Sequence, residues 1–195
     1  MDALERSRLI DELEAKIQAD QKRLAELRRG ADERPVADHE LQGWDGPVRL
    51  SELFGGKPDL ILIHNMGSRC PYCTLWADGL NVVAAHLQDR AAFVVCSPDA
   101  PEKQREFASG RGWRFRMVHD PGSAFTRAMG YVEDRGGRVS HLPGVSTFRR
   151  RPEGTIHRVA HAPFGPGDPY CGAWHLFDLL EGGTGGWEPR FRYGS

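Results

Sequence analysis

An unbroken apolar run followed by two closely spaced cysteines constrains the fold of this chain more than any other feature. Leu60–Ile63 does not alternate between apolar and polar residues, which predicts a strand buried on both faces of a sheet. A Cys-Pro-Tyr-Cys motif at residues 70–73 follows and opens a predicted helix, Pro71–Gln88. Phe93–Cys96 then predicts a second buried strand, and Asp99 is placed to cap a second helix. Strand, helix, strand and helix in this order predict a parallel βαβ unit with a right-handed crossover.

The rest of the chain adds short strands and helices around this unit, which predicts an α/β fold. We divide the 195 residues into a helical extension (1–34), a folded domain (35–182) and a Gly-rich tail (183–195) without regular structure. A polar linker that contains a proline, Gly30–Asp38, joins the first two parts. The other predicted elements are an N-terminal hairpin (Leu41–Trp44 and Val48–Leu50), a strand at Phe115–Val118, a short helix at Ser123–Met129, a C-terminal hairpin (Val145–Phe148 and Thr155–Val159) and a helix at Cys171–Leu180.

One amphipathic helix is predicted over Asp2–Arg29, because its apolar residues recur along a single stripe. Asp20 occupies a position within that stripe, which argues against a long coiled coil. We expect the helix to lie against the domain or against a twofold-related copy, so the stripe favours a homodimer as one arrangement. Recruitment of a different partner is the alternative. The stripe consists of Ile10, Leu13, Ile17, Leu24 and Leu27.

Composition and charge argue against several classes of function. Hydrophobic residues make up 39% and charged residues 27% of the chain, with a formal net charge of -1. This balance provides no overall attraction to nucleic acid or to anionic membranes, so we expect neither as a partner. No stretch approaches the roughly 18 apolar residues of a membrane span, and the first residues lack the apolar core of a signal peptide. We therefore expect a cytoplasmic protein, in which a close pair of cysteines is catalytic or metal-binding.

The Cys-Pro-Tyr-Cys motif predicts thiol–disulfide chemistry. Cys70 lies at the predicted start of a helix, where unpaired N–H groups and the helix dipole favour a thiolate, and Arg69 adds a neighbouring cation. Cys73 lies one turn further along, close enough to form a disulfide with Cys70. We therefore predict that Cys70 is the nucleophile and Cys73 the resolving thiol. A metal site would need a second pair of ligands, and Cys96 and Cys171 are isolated, so no metal or other cofactor is expected.

Four residues near the motif are candidates for supporting roles. His64, at the end of the first buried strand, and Asp78, in the helix, are candidates for moving the proton of the buried thiol. The structural alternatives are a backbone hydrogen bond for His64 and a helix kink capped by Asp78. Trp76 and Tyr72 are candidates for contacting the substrate, although packing of Trp76 between helix and sheet is the commoner arrangement.

The residues around the motif resemble a known family. His64-Asn65-Met66-Gly67 followed by Cys70–Asn81 looks like a bacterial thioredoxin-like family of unknown function, described as predicted dithiol–disulfide oxidoreductases. The resemblance implies a three-layer α/β/α fold of thioredoxin type with a central mixed sheet, in the peroxiredoxin-like branch. It also implies a disulfide substrate, either a protein or a small molecule. Similarity spans nearly the whole chain and includes the N-terminal helix, Leu53–Gly56, Gly112-Trp113 and Gly172–Asp178.

A second element implied by the resemblance is a proline opposite the cysteines. Thioredoxin-like folds place a cis-proline before the strand that leads into the terminal hairpin. Leu142–Pro143 stands at that place in the order of elements, so a cis bond and substrate contact by Pro143 and Gly144 are implied. An ordinary trans proline in a loop is the alternative.

Other functions compete with a dithiol–disulfide oxidoreductase. Cys-Pro-Tyr-Cys is also the motif of glutaredoxins, so a glutathione-linked reductase is one alternative, although a glutaredoxin is shorter and lacks the N-terminal helix and hairpin. A redox-sensing or redox-inert interaction module is another. A peroxidase is disfavoured, because the peroxidatic Pro-x-x-x-Thr/Ser-x-x-Cys pattern needs proline at position 63, which is isoleucine, and threonine or serine at position 67, which is glycine. Asn65 departs from the family, in which we expect an aromatic residue there.

Overall fold

The secondary structure follows the predicted order closely. The computed structural model describes residues 1–29 and 34–194, so residues 30–33 of the predicted linker and the final residue of the tail lie outside the described part. The helices are α1 (Ala3–Arg29), α2 (Pro71–Arg90), α3 (Pro101–Arg111), α4 (Ala124–Ala128) and α5 (Gly172–Phe177), with short 3₁₀ helices at Leu50–Phe54 and Pro121–Ser123. The strands are β1 (Pro35–Val36), β2 (Glu40–Gly43), β3 (Gly46–Arg49), β4 (Asp59–His64), β5 (Ala92–Ser97), β6 (Arg116–His119), β7 (Val132–Arg135), β8 (Arg138–His141), β9 (Gly144–Arg150) and β10 (Ile156–Pro163).

Eight strands form one mixed sheet in the order β1-β10-β9-β4-β5-β6-β2-β3, which confirms the predicted central mixed sheet. β4, β5 and β6 are parallel neighbours, as the βαβ pattern predicts, and β9 pairs with β4 in the antiparallel direction. In this register His64 lies opposite Cys96 on β5 and opposite Gly144 on β9. The carboxyl end of β4 and the start of β9 therefore lie side by side at the same end of the strands, where the chain continues into α2.

The two faces of β4 bury different cores, which gives the predicted three layers. Leu60 and Leu62 belong to a cluster with the N-terminal hairpin, the first 3₁₀ helix and α4, whereas Ile63 packs in a second cluster with α2, α3 and α5. β4 pairs with β9 on one side and with β5 on the other, so it has no open edge. This double burial explains why the sequence of β4 is apolar without alternation.

Several local predictions are wrong, for identifiable reasons. α2 runs unbroken through Asp78, because the carboxylate bonds side chains of another segment instead of capping a kink. The N-cap of α3 is Ala100, and Asp99 instead accepts the backbone N–H of Ser68. Every described peptide bond is trans, including Leu142–Pro143, so the implied cis bond is absent from the described chain.

One further part of the fold differs from expectation. β7 and β8 form a separate two-stranded sheet that was not predicted, because its strands are largely polar. The tail has neither helix nor strand up to residue 194, yet Trp187 packs its ring 5.4 Å from that of Trp174. None of the described helices combines the length and the apolar character needed to cross a bilayer.

Candidate active site

The loop between β4 and α2 is joined to neighbouring segments by hydrogen bonds. The Asn65 N–H donates to the Cys96 carbonyl at 2.9 Å, and its side-chain oxygen accepts the Gly67 N–H at 2.7 Å. Ser68 N–H donates to Asp99 Oδ2 at 2.5 Å. Gly67 has a φ of 98°, and a Cβ there would lie 3.0 Å from Asp99 Oδ2, so the turn requires glycine. The loop thereby delivers Cys70 to the first turn of α2.

Cys70 is the N-cap residue of α2. Its Sγ accepts the N–H of Cys73 at 3.2 Å, the bond that a serine or aspartate oxygen makes at most helix N-termini. Pro71 occupies the first helical position, where its missing N–H removes no hydrogen bond. The Cys70 carbonyl accepts both the N–H and the hydroxyl of Thr74, at 3.1 and 3.0 Å. The predicted placement of Cys70 at a helix start is therefore confirmed.

Cys73 is buried behind Cys70, with 3% of its surface exposed, while Cys70 is half-buried. Both cysteines are free thiols in the structure. Sγ of Cys73 accepts the backbone N–H of Met66 at 3.4 Å. The site therefore presents one accessible sulfur and one covered sulfur, each with a backbone donor aimed at it.

The two sulfurs have opposite proton affinities. Hydrogen bonds lower the pKa of Cys70 to about 7, against burial: the largest contribution comes from the Cys73 thiol, and the N–H groups of Cys73 and Tyr72 act in the same direction. The same bond raises the pKa of Cys73, and burial and the charge of Cys70 raise it again. Hydrogen bonds, and not the predicted cation Arg69, account for the lowered pKa of Cys70. At neutral pH the accessible sulfur is the one that is partly ionised.

The two aromatic candidates lie beside the cysteines in different environments. Trp76 is buried and donates its indole N–H to Asp168 at 3.4 Å, so the structure places it in the core. Tyr72 is half-buried, with its ring 6.2 Å from that of Trp174 and its hydroxyl donating to the Glu188 carboxylate at 3.4 Å. Tyr72 therefore retains a surface that a substrate can contact, and Trp76 has a packing role.

His64 is not brought together with the cysteines. Its side chain lies on the face of the sheet opposite to α2, stacked 3.9 Å from the ring of Tyr131, with Nε2 2.9 Å from Ser146 Oγ. Burial lowers the pKa of His64 to about 3, and the charges of Arg158 and His161 contribute in the same direction. The proton relay through His64 stays a prediction, and this placement argues against it.

Asp78 has a structural partner set. Its two carboxylate oxygens accept the guanidinium of Arg111, and Oδ1 also accepts the indole N–H of Trp113 at 2.8 Å. These contacts join the middle of α2 to the end of α3 and the residues after it. A relay through Asp78 also stays a prediction, since the described bonds of this carboxylate lead away from the cysteines.

Pro143 and Gly144 lie at the start of β9, at the same end of the strands as the loop before α2. The Pro143 carbonyl accepts the N–H of Phe164 at 3.0 Å, and the Leu142 N–H donates to Tyr131 at 2.9 Å. These backbone groups are therefore already paired within the chain. A Cβ at Gly144 would lie 2.3 Å from a ring carbon of Tyr131, so packing alone requires glycine there. Substrate contact by Pro143 and Gly144 stays a prediction.

Some contributors to the site were not predicted. The Met66 N–H and the Asp99 carboxylate act through the loop conformation, which no sequence pattern reports. Glu188 reaches Tyr72 from 116 residues away, and the only signal was an aromatic residue, Trp187, in a Gly-rich tail. Within the described ranges, no group of three or more His, Cys, Asp or Glu side chains is arranged to hold a metal ion.

Solved structures with a similar fold include proteins named peroxidoxin, PrxQ and Prx3. Peroxidoxin BcpB from Mycobacterium tuberculosis is 24% identical, with a TM-score of 0.56 over 68% of this chain and 84% of the matched chain. A PrxQ mutant from Xylella fastidiosa is 14% identical, with a TM-score of 0.57 over 68% and 84%. Reduced Prx3 from Vibrio vulnificus, in complex with hydrogen peroxide, is 18% identical, with a TM-score of 0.56 over 71% and 87%.

These likenesses show that the chain has a fold of the thioredoxin type. No curated protein matches it. Residues 3–188 match the family described as bacterial proteins of unknown function, DUF899, and the chain belongs to that family.

Proposed function

We propose that this protein is a dithiol–disulfide oxidoreductase in which Cys70 is the nucleophile and Cys73 the resolving thiol. The observation that carries the proposal is the hydrogen-bonded cysteine pair, with a half-buried sulfur of lowered pKa and a covered sulfur of raised pKa. Thiol–disulfide exchange needs this difference in pKa. The attacking sulfur must be a thiolate near neutral pH, and the resolving sulfur must stay protonated until the mixed disulfide has formed.

The reductive half-reaction follows from these positions. The Cys70 thiolate attacks one sulfur of the substrate disulfide, forming a mixed disulfide and releasing the other substrate sulfur as a thiolate, which takes up a proton. The Cys73 thiolate then attacks Cys70 Sγ, which releases the second substrate thiolate and leaves a Cys70–Cys73 disulfide. The substrate gains two electrons and two protons, and the two cysteines lose them. The reverse sequence oxidises a dithiol.

The causes of the raised Cys73 pKa explain the order of the two steps. The bond to the Cys70 sulfur and the charge on that sulfur both hold the proton on Cys73. Once Cys70 is in the mixed disulfide, its sulfur has no charge, so both contributions disappear. The Met66 N–H, 3.4 Å from Cys73 Sγ, remains to stabilise the thiolate that forms. Formation of the mixed disulfide therefore activates the resolving thiol.

The proposal is tested by turnover of a small aromatic disulfide with a dithiol reductant as electron donor. Wild type should turn over repeatedly and Cys70→Ser should be inactive. Without the reductant, Cys73→Ser should complete the first step only and accumulate a mixed disulfide on Cys70, detectable by intact-mass measurement. Wild type that oxidises once and then stops would support a redox sensor instead, and turnover with glutathione but not with a dithiol would support a glutaredoxin-like reductase.

Hydrogen peroxide is the comparison substrate, because one structural neighbour is named for alkyl peroxide reduction and another was solved in complex with hydrogen peroxide. We expect peroxide consumption per mole of Cys70 to be much slower than disulfide turnover, since Gly67 provides no hydroxyl to a bound peroxide. Faster peroxide consumption that Cys70→Ser abolishes would replace the proposed activity by a thiol peroxidase.

A further inference from the structure

Among the described residues, α1 has no packing partner along most of its length. The helix spans 27 residues, about 40 Å, and none of its residues is buried. A helix in a protein owes most of its stability to packing of an apolar face, and this helix has such a face without a covering surface in the described residues. Five aliphatic side chains on one stripe, 45–64% exposed, form what we call the α1 seam: Ile10, Leu13, Ile17, Leu24 and Leu27.

The spacing of the α1 seam is that of a helix pair. The seam residues are separated by alternating steps of three and four once Asp20 is included, which is the narrow period of two helices packed on each other. The domain touches a different side of the helix. Ala25 and Arg28 are the half-buried positions of α1, and the Arg28 guanidinium bonds the hydroxyl of Tyr170 at 3.2 Å. Ala25 lies about 100° around the helix from Leu24, and Arg28 about 100° from Leu27, so the domain contact lies to one side of the seam and leaves both leucines exposed.

Charge along the helix indicates the orientation of a matching seam. Residues 3–15 carry four acidic side chains against two arginines, a net charge of -2. Residues 17–29 carry four cations, Lys22, Arg23, Arg28 and Arg29, against two acidic side chains, a net charge of +2. Two parallel copies would place each acidic segment beside another acidic segment, and Asp20 beside Asp20. Two antiparallel copies place the acidic segment of one helix beside the basic segment of the other.

We propose that α1 of one molecule pairs antiparallel with α1 of a second copy of this chain. Ile10 then faces Leu27 of the partner subunit, and Leu13 faces Leu24 of the partner subunit. Asp20 falls near the centre, opposite Ile17 of the partner subunit. Its carboxylate bonds the ammonium of Lys16 in the same helix at 2.5 Å, so its charge is neutralised locally. A central polar residue limits the pair to a short contact and specifies its register, consistent with the argument against a long coiled coil.

The test is the mass of the purified protein in solution, by light scattering after size exclusion and by sedimentation equilibrium up to about 100 μM. Wild type should have the mass of two 21.8 kDa chains. Leu13→Asp, on the seam, should weaken the dimer at least tenfold. The matched control is Leu4→Asp, which changes a 74% exposed leucine of the same helix that lies off the seam, and it should leave the dimer unchanged. A monomeric wild type, or a Leu13→Asp variant that dimerises as well as Leu4→Asp, overturns the proposal.

Orientation is tested by cross-linking in a Cys70→Ser/Cys73→Ser background. Leu13→Cys combined with Leu24→Cys should oxidise to a covalent dimer, since these positions face each other across the antiparallel pair. Leu13→Cys alone should stay uncross-linked. Efficient cross-linking of Leu13→Cys alone overturns the antiparallel arrangement. Neither result depends on redox activity, so failure here and failure of the proposed function are separate outcomes.

Discussion

Replacing Cys73 by alanine should raise the pKa of Cys70, because the bond from the Cys73 thiol is the largest cause of its lowered value. With a pKa of about 7, about half of Cys70 is thiolate at pH 7; with the usual value of about 9, the fraction is about one in a hundred. Cys73→Ala keeps the two backbone N–H donors, so we expect an intermediate pKa, about one unit higher. The thiolate fraction at pH 7 would then be about one in eleven, roughly a fivefold decrease.

The assay is the rate of Cys70 alkylation as a function of pH. The midpoint of the profile is the decisive quantity, because a more basic thiolate is also a better nucleophile and the rate at pH 7 falls by less than its population. Cys73→Ser is the matched control: its hydroxyl can donate the same hydrogen bond, so its midpoint should stay within about half a unit of wild type. An unchanged midpoint in Cys73→Ala, or equal shifts in Cys73→Ala and Cys73→Ser, would refute this account of the pKa.

Three other substitutions, one of them with a matched control, test the surroundings of the site. Gly144→Ala should destabilise the protein by about 1–3 kcal/mol or more, since its Cβ would lie 2.3 Å from a tyrosine ring carbon, while Gly165→Ala, with open space around it, should change the unfolding free energy by less than about 0.5 kcal/mol. Denaturant titration checks both. The pKa of His64 is lowered to about 3 from its usual 6.5, so the unfolded chain binds the extra proton between these values, and wild type should lose about 1.4 kcal/mol of stability per pH unit as pH falls below 6.5. His64→Phe should lack that contribution, and identical pH slopes in the two proteins would contradict the neutral buried histidine. Asp78→Ala should lower the free energy of unfolding by about 1–3 kcal/mol through its lost hydrogen bonds, while the midpoint of Cys70 alkylation stays near pH 7. A shifted midpoint would support a role for Asp78 in proton transfer.

The position of the cysteine pair was predictable because its signals are local. The apolar run of β4 and the proline at the first position of α2 each act within a few residues. The direction of the Cys70 pKa shift was predictable, but its main cause was not. A thiolate at Cys70 follows from its place at a helix start, but the main cause is the thiol three residues further on, and the neighbouring cation Arg69 does not contribute.

Side-chain direction at the end of β4 was not predictable. In a strand buried on both faces, apolar residues occupy both sides, so the sequence contains no pattern that assigns His64 to one of them. Its placement away from α2 follows from the register with β9, where Ser146 and the stacked Tyr131 ring surround it.

Long-range contacts of polar segments were also beyond the sequence. From the local sequence, Asp78 next to a glycine predicts an interrupted helix. Its contact with Arg111 forms only in the folded chain. The contact between Glu188 and Tyr72 joins residues 116 positions apart, in a tail whose glycine content predicts no regular structure.

The central claim, a reversible disulfide between Cys70 and Cys73, is tested most directly by equilibrating the protein in a series of dithiol/disulfide buffers, quenching with acid and alkylating the remaining thiols. Peptide mass spectra should show a single two-electron transition in which both cysteines lose their label together, while Cys96 stays reduced throughout. Labelling of Cys70 and Cys73 that never changes, or that changes at one of them without the other, would contradict the claim.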